Sequence, residues 1–205
     1  MAKKDKTQAT GEHVATPVEP RLRARFRDEV SQKIKQDFGV TNPMALPKLD
    51  KIVLTVGLGH QIEGTKVKAA AKEQTLSDLA VITGQKPVMT RAKKSVANFK
   101  VRTGYENGAM VTLRGYRMWE FLDRLINLSI PRIKDFRGLS PKKCDGRGNY
   151  HFGVTEQAIF PEVDMANAQF THGMNISLIF KNSTDDKTRA CLEQLGFPFT
   201  KPDQK

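Results

Sequence analysis

Phe99-Lys100-Val101-Arg102-Thr103-Gly104-Tyr105-Glu106-Asn107-Gly108-Ala109-Met110-Val111-Thr112-Leu113-Arg114-Gly115 is the stretch on which a reading of the fold turns. Apolar and basic side chains alternate in its first four residues. The two-residue period of a strand then sends Phe99 and Val101 to one face and Lys100 and Arg102 to the other. Asn107-Gly108 accepts positive φ at both centres of a tight turn, which predicts a hairpin there. Alternation resumes beyond it, with Val111 and Leu113 set against Met110, Thr112 and Arg114. If Val111 and Leu113 join a core, then Thr112 and Arg114 lie beside Lys100 and Arg102. The expectation is a sheet with one apolar and one cationic side.

Charge patterning extends this upstream. Lys86, Arg91, Lys93, Lys94, Lys100 and Arg102 place six cations in seventeen positions, and no acidic residue stands between Asp78 and Glu106. A merely solvated surface intersperses both signs. A cationic sheet face edged by a basic loop from Arg91 to Asn98 suits a phosphate backbone, because each neutralised phosphate releases counterions. The net charge of +12 is also unevenly spread: residues 21 to 154 carry 26 cations and 12 anions, residues 155 to 205 five and seven. A polyanionic partner would therefore meet the middle of the chain.

The 205 residues suffice for one domain with a substantial core. Residues 1 to 20 are polar, contain Pro17 and Pro20, and are expected to be disordered. Residues 21 to 199 read as a single domain and residues 200 to 205 as a tail. Cys144 and Cys191 lie far apart, with neither a CxxC motif nor a histidine at ligand spacing, so they read as reduced thiols of a cytosolic protein. No apolar run approaches the roughly 20 residues that span a bilayer, and the chain is expected to be soluble and not exported.

Leu22, Phe26, Val30, Ile34 and Phe38 recur every four residues, an amphipathic helix that Gly39 ends. Its start is dense in arginine (Arg21, Arg23, Arg25, Arg27), which opposes the helix dipole. Those charges serve either a partner or only the solubility of the helix end. Ile52, Leu54, Val56 and Leu58 alternate as a strand. Gly57-Leu58-Gly59 lacks the third glycine of a dinucleotide fingerprint, and Gly64-Thr65-Lys66 inverts the order that a phosphate loop needs. Lys66 to Thr83 reads as a helix stopped by Gly84. Met118 to Ile130 reads as the best-buried helix, with Trp119 a core residue. Arg132 to Gly148 is a long connection with six cations and two anions. Tyr150, Phe152 and Val154 form a strand that continues through Ile159 and Phe160. Ile176, Leu178 and Phe180 form the last strand, and a final helix begins near Ser183 with Asp185 and Asp186 in its first turn. The class is α+β, a largely antiparallel sheet with helices packed on one face and the other face cationic and free for a phosphate backbone.

Catalysis finds little support. His60, His151 and His172 sit in unrelated contexts, and no nucleophile elbow is present. Glu156 and His151, five residues apart on a strand, point to opposite faces. Ser95 has only basic neighbours, which suits phosphate contact better than acyl transfer. No enzyme activity, cofactor or metal is expected. A free RNA chaperone or regulatory RNA-binding module remains a rival, as does an RNA-modifying enzyme.

Gly84-Gln85-Lys86-Pro87, Lys94-Ser95-Val96-Ala97, Val111-Thr112-Leu113-Arg114-Gly115, Met118-Trp119-Glu120-Phe121, Asp135-Phe136-Arg137-Gly138-Leu139, Asp145-Gly146-Arg147-Gly148-Asn149-Tyr150 and Phe160-Pro161-Glu162 occur in one order and spacing. This pattern resembles the ribosomal protein L-five family of the bacterial large subunit, over about Arg21 to Phe199. The resemblance implies a structural constituent of the cytoplasmic ribosome that binds 5S rRNA, helps attach it in the central protuberance, contacts the P-site tRNA and bridges to a small-subunit head protein. Large-subunit rRNA and neighbouring large-subunit proteins are further implied partners. Taken with the alternation above, it assigns 5S rRNA to Thr55, Gln85, Lys100, Arg102, Thr112 and Arg114. It assigns tRNA to Arg91, Lys93, Lys94 and Ser95, and the intersubunit bridge to Arg137, Lys142, Lys143 and Arg147 on a mobile loop hinged at Gly138, Gly146 and Gly148. An alternative is that Phe136 and Leu139 pin that loop to the core and its charges are simply solvated. Two positions depart from the family pattern: Thr55 stands where it usually has Asn, and Asn98 where it usually has Gly.

Overall fold

A computed structural model describes residues 19–63, 66–166 and 168–200. Helix α1 runs without a break through Arg21–Arg25, a π turn over Phe26–Val30, and Ser31–Asp37. The wide turn has a sequence cause. A strict four-residue spacing overshoots the 3.6-residue turn by about 40° per step, so the apolar series would wind off the core. The π turn recovers part of that drift and keeps Leu22, Phe26, Val30 and Ile34 buried. Ser31 supports it by donating its hydroxyl to the Phe26 carbonyl at 2.8 Å. Phe38, last of the series, reaches the surface, and Gly39 follows at φ 59°.

The elements that follow are β1 (Lys48–Gly57), the short pair β2 (Ile62–Glu63) and β3 (Lys66–Val67), α2 (Ala69–Thr83), β4 (Val88–Arg91) and β5 (Glu106–Leu113). Helix α3 spans Gly115–Arg124 and passes through a π turn, Leu125–Ser129, into a 3-10 turn at Ile130–Arg132. Strands β6 (Tyr150–Val154) and β7 (Met174–Lys181) and helix α4 (Asp185–Gln194) complete the fold. The main sheet has the order β4-β5-β1-β7-β6, and every pairing in it is antiparallel. The α+β class holds.

Strand parity divides the sheet cleanly. Ile52, Leu54 and Val56 of β1, Val111 and Leu113 of β5, Ile176 and Leu178 of β7, and Tyr150 and Phe152 of β6 face the helices and are buried. Phe121, Leu122 and Leu125 of α3 and Leu79 and Ile82 of α2 close over them. Trp119 is buried against Phe26, with ring centroids 5.2 Å apart. Each such side chain contributes roughly 1.5–3 kcal/mol by leaving water.

Several expectations need correction. Asn107-Gly108 is not a hairpin turn but lies inside β5. Gly108 is required there because a Cβ would stand 2.6 Å from the Val56 carbonyl oxygen, a close approach of two backbones. Asn107 instead accepts a hydrogen bond from the Thr90 hydroxyl at 3.1 Å. The true β4–β5 connection is residues 92–105, so Phe99 to Arg102 is not a strand of the sheet. Ala97–Phe99 is a 3-10 turn, and Lys100 takes φ 52°, which breaks the alternation and leaves Phe99 exposed. Ile159 and Phe160 are buried but belong to and follow a 3-10 turn, Gln157–Ile159, and do not continue β6. The expected disordered stretch falls outside the described residues except for Glu19 and Pro20, and the expected tail except for Thr200. Those residues are attached: Glu19 pairs with Arg27, and Thr200 bonds to Leu139.

Candidate nucleic-acid interface

Among the described residues no helix covers the second face of the sheet. Two cross-strand rows lie open on it, set by register alone: Val88, Met110, Thr55, Asn175 and Gly153 in one, Thr112, Val53, Ser177 and His151 in the other. The rows carry hydroxyl, amide and imidazole groups with apolar side chains between them, and their cations stand at the margin. Lys51 and the exposed Arg114 lie toward one end of the face, while Lys181 is held 2.8 Å from Asp50. Gln85 reaches the edge, donating its side-chain amide to the Thr112 carbonyl at 3.3 Å and so tying the end of α2 to β5. His151 contacts the Ser177 hydroxyl through Nδ1 at 2.9 Å. Thr55, Gln85, Thr112 and Arg114 are thus brought to one face or its edge, whereas Lys100 and Arg102 belong to the 92–105 loop. The face is neutral and polar at its centre rather than cationic throughout.

That loop is a braced hairpin. Ala92 and Tyr105 share a backbone hydrogen bond of 2.8 Å, Gly104 donates to Ala92 at 2.9 Å, and Val96 and Val101 exchange bonds of 2.9 and 3.2 Å. The Ser95 hydroxyl lies 3.1 Å from that of Thr103 and accepts the Thr103 N–H at 3.0 Å, so this side chain staples the loop. Arg91, Lys93, Lys94, Lys100 and Arg102 are all exposed, and among the described residues none of them forms an ion pair. Glu106, opposite Arg91 in the strand register, is held by Lys72 at 2.6 Å. By contrast, the arginines that open α1 are matched within the chain. Arg21 pairs with Asp123, Arg25 with Glu29, and Arg27 with Glu19 and Asp28, while Arg23 lies over the Tyr116 ring at 5.0 Å. Exposed pairs of this kind are individually weak, yet they remove the motive for assigning those charges to a partner.

The segment 132–148 is irregular but fastened. Leu139 is buried, donates its N–H to the Pro198 carbonyl at 2.8 Å and accepts the Thr200 N–H at 3.0 Å, and Phe136 packs against the core. The Asp185 carboxylate accepts the N–H groups of Gly146 and Gly148 at 3.1 and 2.8 Å. Asp145 folds its own turn. Burial alone would raise its carboxyl, but the Asn149 side chain and the N–H groups of Asn149 and Arg147 hold it down at about 2. Gly138 and Gly148 are not hinges: a Cβ at either would meet Thr200 or Ser183 at 2.7 Å. The pinned alternative therefore describes this segment. Arg137, Lys142, Lys143 and Arg147 still point to solvent from it, and among the described residues they have no ion-pair partner.

Sequence reasoning missed Asn175, Ser177 and His151 on the open face. Parity could have found them, since they alternate with Ile176, Leu178, Tyr150 and Phe152. Their neighbourhood with Thr55 and Thr112 depends on β1 lying between β5 and β7, which no local pattern announces.

An α+β domain with one uncovered, hydrogen-bonding sheet face and a rigid cationic hairpin defines a nucleic-acid-binding protein of the scaffold kind. Two family models match the chain: Ribosomal protein L5 over residues 42–102, and the C-terminus of the same ribosomal family over residues 106–199. Similar relatives are large ribosomal subunit proteins uL5. That of Streptomyces coelicolor is 49% identical over 91% of this chain and 98% of its own length. That of Anaeromyxobacter sp. is 50% identical over 87% and 97%, and that of Thermobifida fusca 49% over 93% and 97%. The chain belongs to the ribosomal protein L5 family. It is a structural, RNA-binding constituent of the large ribosomal subunit that serves translation, and it is not an enzyme.

Proposed function

We propose that the protein binds 5S rRNA on its open sheet face and helps attach it in the central protuberance of cytoplasmic ribosomes, alongside large-subunit rRNA and neighbouring proteins. The observation that carries this is the pair of uncovered rows, where Thr55, Thr112, Asn175, Ser177 and His151 offer donors and acceptors between marginal cations. A-form RNA displays its 2′-hydroxyls and base edges in a wide, shallow groove, where side-chain donors and acceptors of this kind can reach them. Arg114 and Gln85 stand where they would orient the flanking backbone.

The hairpin is assigned a second RNA, the P-site tRNA. Arg91, Lys93 and Lys94 are joined there by Lys100 and Arg102, while the Ser95 hydroxyl shapes the loop. The fastened 132–148 segment presents Arg137, Lys142, Lys143 and Arg147 to a small-subunit head protein as a fixed charged platform. Rim-type charge pairs suit an interface that must tolerate small displacements. To test the first assignment, Thr55 and Ser177 are both changed to Glu, which puts two carboxylates on the open face. Filter binding should show 5S rRNA affinity lost, whereas a variant lacking the charges of Arg91, Lys93 and Lys94 should bind 5S rRNA as the wild type does. Undiminished 5S binding by a folded double-Glu variant overturns the sheet-face assignment.

A further inference from the structure

Phe99 is 74% exposed at the tip of the 92–105 hairpin, and among the described residues no other ring or cation packs on it. Exposure of a single apolar side chain is ordinary on a loop that moves. This loop is stapled at three levels, by the Ala92–Tyr105 and Gly104–Ala92 bonds, by Ser95 with Thr103, and by the reciprocal Val96–Val101 bridge. The tip also contains a strained residue. Lys100 has φ 52° and donates to the Ala97 carbonyl at 2.9 Å, a left-handed position that a non-glycine residue adopts only where its surroundings hold it. The backbone thus presents an aromatic ring outward from a fixed base. The same hairpin carries Lys93, Lys94, Lys100 and Arg102, all exposed and without ion-pair partners among the described residues.

We propose that Phe99 stacks on an accessible nucleobase of the RNA that the hairpin cations hold, so that the loop recognises folded RNA with an open base face rather than any phosphate backbone. The inference deepens the hairpin assignment made above and rests on it. Cations alone position a backbone without regard to its bases. An aromatic platform on a cationic loop is an arrangement that binds unpaired bases, and it accepts every base because each has a π face. A protein partner for the exposed ring is disfavoured by the unpaired cations of the same hairpin, since the cores of protein interfaces are depleted in charge.

The ring's exposure also makes the test clean, because nothing inside the chain depends on it. Large subunits would be assembled with Phe99→Ala, Phe99→Leu and Phe99→Trp chains and with a chain neutralised at Lys93 and Lys94, and the release rate of P-site tRNA would be measured. Truncating one base–aromatic stack should accelerate release by about tenfold. Ala and Leu should behave alike, because Leu keeps apolar area but has no π face, and Trp should restore wild-type release. A photoreactive benzoylphenylalanine at position 99 should crosslink to a nucleotide. Leu behaving as Phe, or a crosslink to protein, overturns the stack. If the neutralised chain releases tRNA faster while Phe99→Ala matches the wild type, the hairpin assignment stands and the stack falls. If neither variant changes release, the hairpin assignment itself falls and the stack with it.

Discussion

Replacing Asp185 with Ala should loosen the 144–149 turn without unfolding the domain. The carboxylate accepts two backbone N–H groups, from Gly146 at 3.1 Å and Gly148 at 2.8 Å. A hydrogen bond to a charged group contributes about 1.5–3 kcal/mol, and partial exposure puts these two at the low end, together about 2–3 kcal/mol. Loss of an acidic residue from the first turn of α4 adds roughly 0.5 kcal/mol against the helix dipole. The Thr188 hydroxyl still donates to the Gly148 carbonyl at 2.6 Å, so the strand side of the turn stays anchored. The damage is therefore local. Amide exchange at Gly146 and Gly148 should accelerate by about 30- to 100-fold, at roughly tenfold per 1.4 kcal/mol. Amides of β1 and β7 should change far less, and Asp185→Asn should fall between wild type and Ala. Unchanged exchange at both glycines would show that the carboxylate does not hold the segment. Its rigidity would then need another source.

Other expectations are shorter. Gly108→Ala pushes a Cβ against a backbone oxygen of β1 that cannot swing away, so it should cost about 1–3 kcal/mol and lower the melting temperature by several degrees; an unchanged melt would contradict the close approach. Asp145, held at about 2 against an ordinary value near 3.9, stabilises its turn at any pH above that ordinary value and loses the contribution as pH falls from about 4 to 2. Exchange protection at Arg147 and Asn149 should fade over that acid window in the wild type and show no such step in Asp145→Asn. Cys191 is fully buried, and burial pushes its thiol up to about 12, so it should resist alkylation in the native state; labelling at neutral pH without denaturant would refute its burial. Leu122→Ala should cost about 2–5 kcal/mol by opening a cavity under the sheet, measured by urea unfolding.

Much of this architecture was legible because burial imposes period on sequence. The runs Ile52-Leu54-Val56 and Ile176-Leu178-Phe180 and the apolar α3 stripe announced their elements and their buried faces correctly. Two failures share one cause. Asn107-Gly108 satisfies a turn and a backbone close approach equally well, since both need a residue with no Cβ, and only the neighbouring strand decides between them. Once the turn was placed there, Phe99 to Arg102 became the facing strand, and its alternation was accidental. The open sheet face was half visible. Thr55 and Thr112 followed from parity, whereas their neighbours Asn175 and Ser177 needed the strand order, which is a property of long-range pairing. The fastening of residues 132–148 depended on Asp185 and Phe199, distant in sequence, and two of the three glycines that resemble hinges, Gly138 and Gly148, proved to be points of tight contact.

The parallel bridge between Leu139 and Phe199 also has a meaning in time. A growing chain emerges in order, so the segment carrying Arg137 to Arg147 is made well before residues 198–200, which grip it. Strand β1 likewise waits at the centre of the sheet for β7, its second neighbour. During synthesis the early two-thirds of the chain can collapse around α2, α3, β1 and β5, while the charged platform stays unfastened until the last strand and helix arrive. A chain cut short after α3 would therefore carry three of the five strands of the main sheet and lack the 137–147 segment altogether.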